Sequence, residues 1–257
     1  MTVTSRTEGQ PTWADLGAPD VERARTFYAS VMGWEMTAGD PDFGGYGTAM
    51  NGDEVAAGFG PLMGDAPPAW LLYFSTDDAE LTQARIAELG GTVIAPAHPV
   101  GDFGRLVVAI DPTGAAFGLW EAGEVTGFDA TGKAGAWAWC DLRSPDPDLA
   151  REFYGALFGW GFEAVPMAGD EYTTFTPNGA AAPAGGVGPM MGADGVPAHW
   201  LNYFAVLDVD QSVDAVVSEG GTILTSAFDS PFGRMAPILD PAGAPLIVMQ
   251  LPESRTT

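Results

Sequence analysis

The 257-residue chain sets ten lysines and arginines against thirty-four acidic residues, a formal charge of −24. That excess repels nucleic acid and anionic membrane surfaces, and no apolar run reaches the length of a helical membrane span. The polar opening MTVTSRTEGQ lacks the apolar stretch of a secretory signal, and the single cysteine, Cys140, can form no internal disulfide; a reducing cytoplasm is the expected setting.

Residues 1–10 read as a loose tail. A period-2 strand follows over about 12–18, and Pro19-Asp20 breaks it to offer a helix N-cap at Asp20. Helical spacing of Phe27, Tyr28 and Met32 predicts a helix to about residue 32, stopped by Gly33. Three short strands are expected near 34–38, 45–51 and 54–60, separated by Gly/Pro/Asp turns. After a loop over 61–68 the order repeats: strand 70–76, a helix opened by Asp77-Asp78 and closed by Gly90-Gly91, then strands near 92–95, 104–110 and 115–121. One half of the chain is therefore βαβββ written twice.

Residues 137–161 repeat 11–35 in register. Trp13 and Asp15 match Trp139 and Asp141, Arg-x-Phe-Tyr ends at Tyr28 and Tyr154, and Gly33-Trp34 matches Gly159-Trp160. The stretch from Gly58 to Gly64 matches Gly186 to Gly192, Ala69-Trp70 matches His199-Trp200, and Phe103-Gly104-Arg105 matches Phe232-Gly233-Arg234. The turn Asp111-Pro112 with Gly114 matches Asp240-Pro241 with Gly243. The reading is a tail (1–10), a domain (11–121), a glycine-rich linker (122–136), a second domain (137–251) and a tail (252–257). The bias toward Ala, Gly and Asp, with Lys133 the only lysine, suits a bacterial source.

This βαβββ order, the Phe-Tyr…Gly opening and the Asp-Pro-x-Gly turn before the last strand resemble the vicinal oxygen chelate superfamily. Its members include glyoxalase I, bleomycin-resistance proteins, fosfomycin-resistance enzymes and extradiol dioxygenases. The resemblance spans about residues 11–251 and implies an α+β fold: two tandem domains, each a pair of βαβββ modules forming a half-open barrel. It does not choose a function, because the superfamily hosts isomerases, transferases, dioxygenases and drug-binding proteins.

In metal-using members, the first strand of a module supplies His, Gln or Glu and the last strand supplies Glu. Carried over one by one, the first-strand positions fall on Trp13 and Trp139, with Trp70-Leu71 and Trp200-Leu201 in the second modules. The last-strand positions fall on Gly118 and Ile247. None is a metal ligand, so no metal and no other cofactor is expected.

Strand parity turns Trp13, Asp15, Tyr73 and Trp120 into the first cup, and Trp139, Asp141, Arg143, His199 and Tyr203 into the second. Phe103, Arg105, Phe232 and Arg234 are expected at the rims. An aromatic slot with a few polar groups suits a small molecule; the alternative is that the tryptophans fill closed barrels, with the aspartates paired to Arg105 or Arg234. Two functions compete. One is a metal-independent protein that holds an aromatic or cationic ligand, as bleomycin-resistance proteins do. The other is an enzyme of the lyase, dioxygenase or hydroxylase kind using His199, Tyr203 and Asp141 as acid–base groups, or a non-standard metal site. The expected partner is a small molecule, with no nucleic acid or membrane, and the chain a monomer or homodimer. His98 reads as a solvated loop residue and Cys140 as an inert buried thiol. Gly127 to Lys133 imitates a phosphate loop without its Ser/Thr or its helix. Met63, Met190 and Met191 could line a flexible lip between modules, but ordinary packing accounts for them.

Overall fold

Four aspartates start the four helices. In the computed structural model, which describes residues 6–62, 64, 66–166, 171–191 and 195–252, β1 (Pro11–Ala18) leads into α1 (Val21–Met32). The Asp20 carboxylate accepts the Arg23 N–H at 3.0 Å, and Gly33 ends the helix at φ 73°. After α1 come β2 (Glu35–Met36), β3 (Gly47–Asn51) and β4 (Glu54–Pro61). The second module runs β5 (Ala69–Ser75), α2 (Ala79–Glu88), β6 (Thr92–Val100), β7 (Gly104–Ile110) and β8 (Ala116–Ala122). The third runs β9 (Trp137–Ser144), α3 (Pro147–Phe158), β10 (Gly161–Ala164), β11 (Thr173–Thr176) and β12 (Gly185–Pro189). The fourth runs β13 (His199–Val206), α4 (Val209–Ser218), β14 (Thr222–Ile223), β15 (Phe228–Ser230), β16 (Gly233–Leu239) and β17 (Pro245–Gln250). Asp78, Asp146 and Asp208 cap α2, α3 and α4 in the same way.

Each module sets one parallel strand pair beside antiparallel ones, in the orders β2-β3-β4-β1, β5-β8-β7-β6, β10-β11-β12-β9 and β13-β17-β16-β14. Among the described residues, none of these four strand arrangements closes on itself. The fold is α+β, as the sequence implies. β6 runs further than the periodicity suggests. It passes through Pro96 and Pro99 with two shifts of register and carries His98 exposed on a strand rather than a loop. Proline is tolerated there because β6 is an edge strand. Among the described residues, no helix is long and apolar enough to cross a membrane.

Two compact units form, each taking a βαβββ module from each half of the sequence. One comprises Met1–Trp13, Leu71–Gly127 and Cys140–Trp200; the other Ala14–Trp70, Phe128–Trp139 and Leu201–Thr257. In the first unit the Tyr154 hydroxyl accepts the Trp200 indole N–H and donates to Asp111 Oδ2, both at 3.0 Å. Asp111 Oδ1 accepts from the Thr113 and Ala115 amides, so the Asp-Pro-x-Gly turn and the Phe-Tyr helix are tied together. Trp160 stacks on Phe175 at 3.8 Å between ring centres, and its N–H donates to the Gly9 carbonyl. The second unit repeats the device. Trp70 donates to the Tyr28 hydroxyl at 3.0 Å, and Tyr28 donates to Asp240 Oδ2 at 3.1 Å. Its Asp240 Oδ1 accepts from the Ala242 and Ala244 amides.

The stretch 122–136 is tied down rather than loose. In the first unit the Thr126 carbonyl accepts from Thr12 Oγ1 at 2.8 Å and from Arg6 Nε. In the second, Phe128 stacks on Trp137, the Gly135 carbonyl accepts from Trp34 at 2.7 Å, and Lys133 pairs with Glu54. Cys140 is fully buried, and burial together with the Asp141 charge pushes its thiol well above the ordinary value, as befits an inert group.

Candidate ligand site

One polar device occurs in both repeats. In the second unit, β1 presents Asp15 and pairs in parallel with β4, setting Asp15 opposite Gly58. Tyr46, one residue before β3, donates its hydroxyl to Asp15 Oδ2 at 3.2 Å. A side chain at 58 would have no room, because a Cβ there would lie 1.8 Å from the Tyr46 oxygen. In the first unit β9 pairs with β12 so that Asp141 faces Gly186. Tyr172 donates to Asp141 Oδ1 at 2.8 Å, and a Cβ at 186 would lie 2.0 Å from that hydroxyl. Gly60 and Gly188 clear the neighbouring space: a Cβ at either would lie 3.2 Å from the Tyr46 ring or 2.8 Å from the Tyr172 ring.

The two copies differ two residues after the aspartate, where the first has Gly17 and the second Arg143. Arg143 Nη2 donates to Asp141 Oδ2 at 2.5 Å, and its guanidinium carbon lies 5.6 Å from the centre of the Tyr172 ring. Both oxygens of the buried Asp141 carboxylate therefore accept hydrogen bonds inside this cluster.

Neither tyrosine stands out in its own local sequence. Both lie 31 residues after their aspartate, and that shared spacing was the available signal.

The other candidates fall into smaller groups. Tyr73 sits opposite Gly118 across the parallel β5–β8 pair, with its ring over the glycine. Trp13 is buried on β1. Trp120 donates to the Val125 carbonyl at 2.7 Å, and the carbonyl of the half-exposed Phe103 accepts from the Gly123 and Val125 amides. Arg105 pairs with Glu80 of α2. In the second unit Tyr203, Met235, Ile247 and Met249 make an apolar cluster against which Trp139 and Leu201 pack. Phe232 is exposed, and Arg234 pairs with Asp210 and Asp229, which raises its pKa. His199 opens β13, with Nδ1 2.9 Å from the Pro197 carbonyl. Met191 is exposed, and Met63 lies outside the described residues.

The family model described as glyoxalase/bleomycin resistance protein/dioxygenase superfamily matches residues 10–119 and, a second time, 137–248. The chain belongs to this superfamily. CFP32 of Mycobacterium tuberculosis, which carries a provisional glyoxylase name, is 36% identical over 251 residues, covering 95% of each chain. The anthracycline biosynthesis protein DnrV of Streptomyces peucetius is 35% identical over 276 residues, covering 95% of this chain and 94% of that one. Among solved structures, the Mn(II)-bound glyoxalase of Novosphingobium aromaticivorans superposes with TM-score 0.67 at 15% identity, over 95% of this chain and 82% of that one. The 2,3-dioxygenase LapB of Pseudomonas sp. KL28 gives 0.64 at 14%, over 95% and 93%. These two share the fold.

The superfamily's divalent-ion positions do not fit a metal in this chain. Trp70 and Trp200 spend their indole N–H groups on Tyr28 and Tyr154 in the two cores. Gly118 lies beneath the Tyr73 ring, and Ile247 belongs to the apolar cluster. Indole, glycine and isoleucine offer no donor to a divalent ion. Among the described residues, no three His, Cys, Asp or Glu side chains gather closely enough to hold one.

Proposed function

We propose that this superfamily member is a metal-independent binding protein for a small aromatic molecule. The observation that carries the reading is the exchange of metal ligands for packing groups: indoles at 70 and 200, a tyrosine-covered glycine at 118, an isoleucine at 247. What persists in both repeats is a polar anchor, the Asp15–Tyr46 and Asp141–Tyr172 pairs, whose aspartates each stand two residues beyond a tryptophan on the same face of the strand. A flat ligand would stack on Trp13 or Trp139, and within each unit the aspartate–tyrosine pair offers a polar contact. The name of DnrV supports an aromatic ligand, since an anthracycline contains fused aromatic rings.

A second reading, catalysis, draws on His199. Its Nδ1 lies 2.9 Å from the Pro197 carbonyl, a contact that orients the ring for acid–base use of Nε2. The relative's glyoxylase name points the same way.

Tryptophan fluorescence titration against planar aromatic and cationic natural products tests both. Binding predicts saturable quenching in wild type that is lost in Trp13→Ala or Trp139→Ala, with the compounds recovered unchanged by chromatography. Conversion of a bound compound, abolished in His199→Gln, would favour the enzyme. No quenching by any compound would reject binding in favour of tryptophans that only fill the fold.

A further inference from the structure

The two repeats share the Asp–Tyr pair and its glycine floor, yet only the second adds a cation. Arg143 is held on two sides, by the Asp141 carboxylate at 2.5 Å and by the Tyr172 ring face at 5.6 Å. Its side chain keeps 11% of its exposure, against 3% for Asp141. An ion pair this deep adds little net stability, because desolvation offsets the attraction. Nor does the scaffold require it: with Gly17 in the matching place, Asp15 still accepts from Tyr46 and still faces Gly58. Gly188 keeps β12 side chains away from the guanidinium edge, since a Cβ there would lie 3.3 Å from Nη1. The result is a planar fork of N–H donors fixed in orientation beside an aromatic face.

The geometry points to Arg143 as the residue that makes the second-repeat site selective for a planar aromatic acid, a carboxylate or an ionised phenol. This deepens the small-molecule reading above and rests on it. A pre-oriented guanidinium matches a carboxylate or phenolate through charge-assisted hydrogen bonds, which an ammonium on a flexible stem does less well. The molecule as a whole carries −24 and disfavours anions. A local, partly desolvated cation is what an anionic ligand would need.

The test is titration of the full chain with 2-naphthoate and with its neutral isostere 2-naphthamide, in wild type, Arg143→Lys and Arg143→Gln, with circular dichroism reporting the fold. A charged hydrogen bond predicts that wild type binds naphthoate at least about tenfold more tightly than the amide. The preference falls in Arg143→Lys and disappears in Arg143→Gln. Equal affinities in wild type overturn the inference while leaving the binding reading intact, even if Arg143→Gln does not fold. A preference that survives in folded Arg143→Gln overturns it as well. Failure of both compounds to bind wild type counts against both readings.

Discussion

Tyr28 and Tyr154 are fully buried phenols, each accepting an indole N–H and donating to a carboxylate. Burial first, and then the Asp240 and Asp111 charges, push both phenols well above their ordinary value. In the unfolded chain they would ionise from about pH 10. A raised folded pKa means stability is whole below that pH and declines as pH climbs past it. Absorbance at 295 nm should therefore show Tyr28 and Tyr154 ionising only as the chain unfolds. Tyr28→Phe or Tyr154→Phe orphans an indole N–H and a carboxylate oxygen, each costing about 1–3 kcal/mol. Chemical denaturation should register that loss at neutral pH; unchanged midpoints would show that the hydroxyls contribute nothing. The same scale explains what the sequence left hidden. Tyr46 and Tyr172 stand just before β3 and β11, outside any hydrophobic period, and their aspartate partners are 31 residues away.

At the scale of elements, capping and glycine placement follow the sequence closely. Asp20, Asp78, Asp146 and Asp208 start helices where an Asp precedes an apolar helical period, and Gly33 and Gly159 stop two of them. β6 is the exception, because Pro96 and Pro99 read as loop while an edge position tolerates them. The β5–β8 pair shows why Gly118 cannot carry the superfamily's last-strand ligand: a Cβ there would lie 2.1 Å from the Tyr73 ring. Gly118→Ala should destabilise by about 1–3 kcal/mol through overpacking. Gly161→Ala on β10, with nothing within 4 Å of the new carbon, is the control and should stay within about 0.5 kcal/mol. Urea midpoints measure both, and equal values would mean Tyr73 does not press on Gly118.

At the scale of the whole molecule, the repeat made the two-domain fold legible but could not tell which modules would share a compact unit. Identical motifs in both halves let Tyr28 match the Asp-Pro-x-Gly turn at 111 as well as the one at 240. The folded chain joins Tyr28 to Asp240, 212 residues away, and Tyr154 to Asp111, 43 residues away. Sequence symmetry leaves that choice degenerate. The superfamily was legible from the repeat and its punctuation, whereas the proposed binding function rests on subtraction, as ligand positions without ligands. The asymmetry between Gly17 and Arg143 takes its weight from Asp141 and Tyr172 around the arginine. The most direct test of a metal-independent superfamily member is elemental analysis of protein grown with added Mn, Fe, Ni and Zn and purified without chelator. Well under one metal equivalent per chain is expected. A near-stoichiometric metal would contradict the reading of Trp70, Trp200, Gly118 and Ile247 as packing positions.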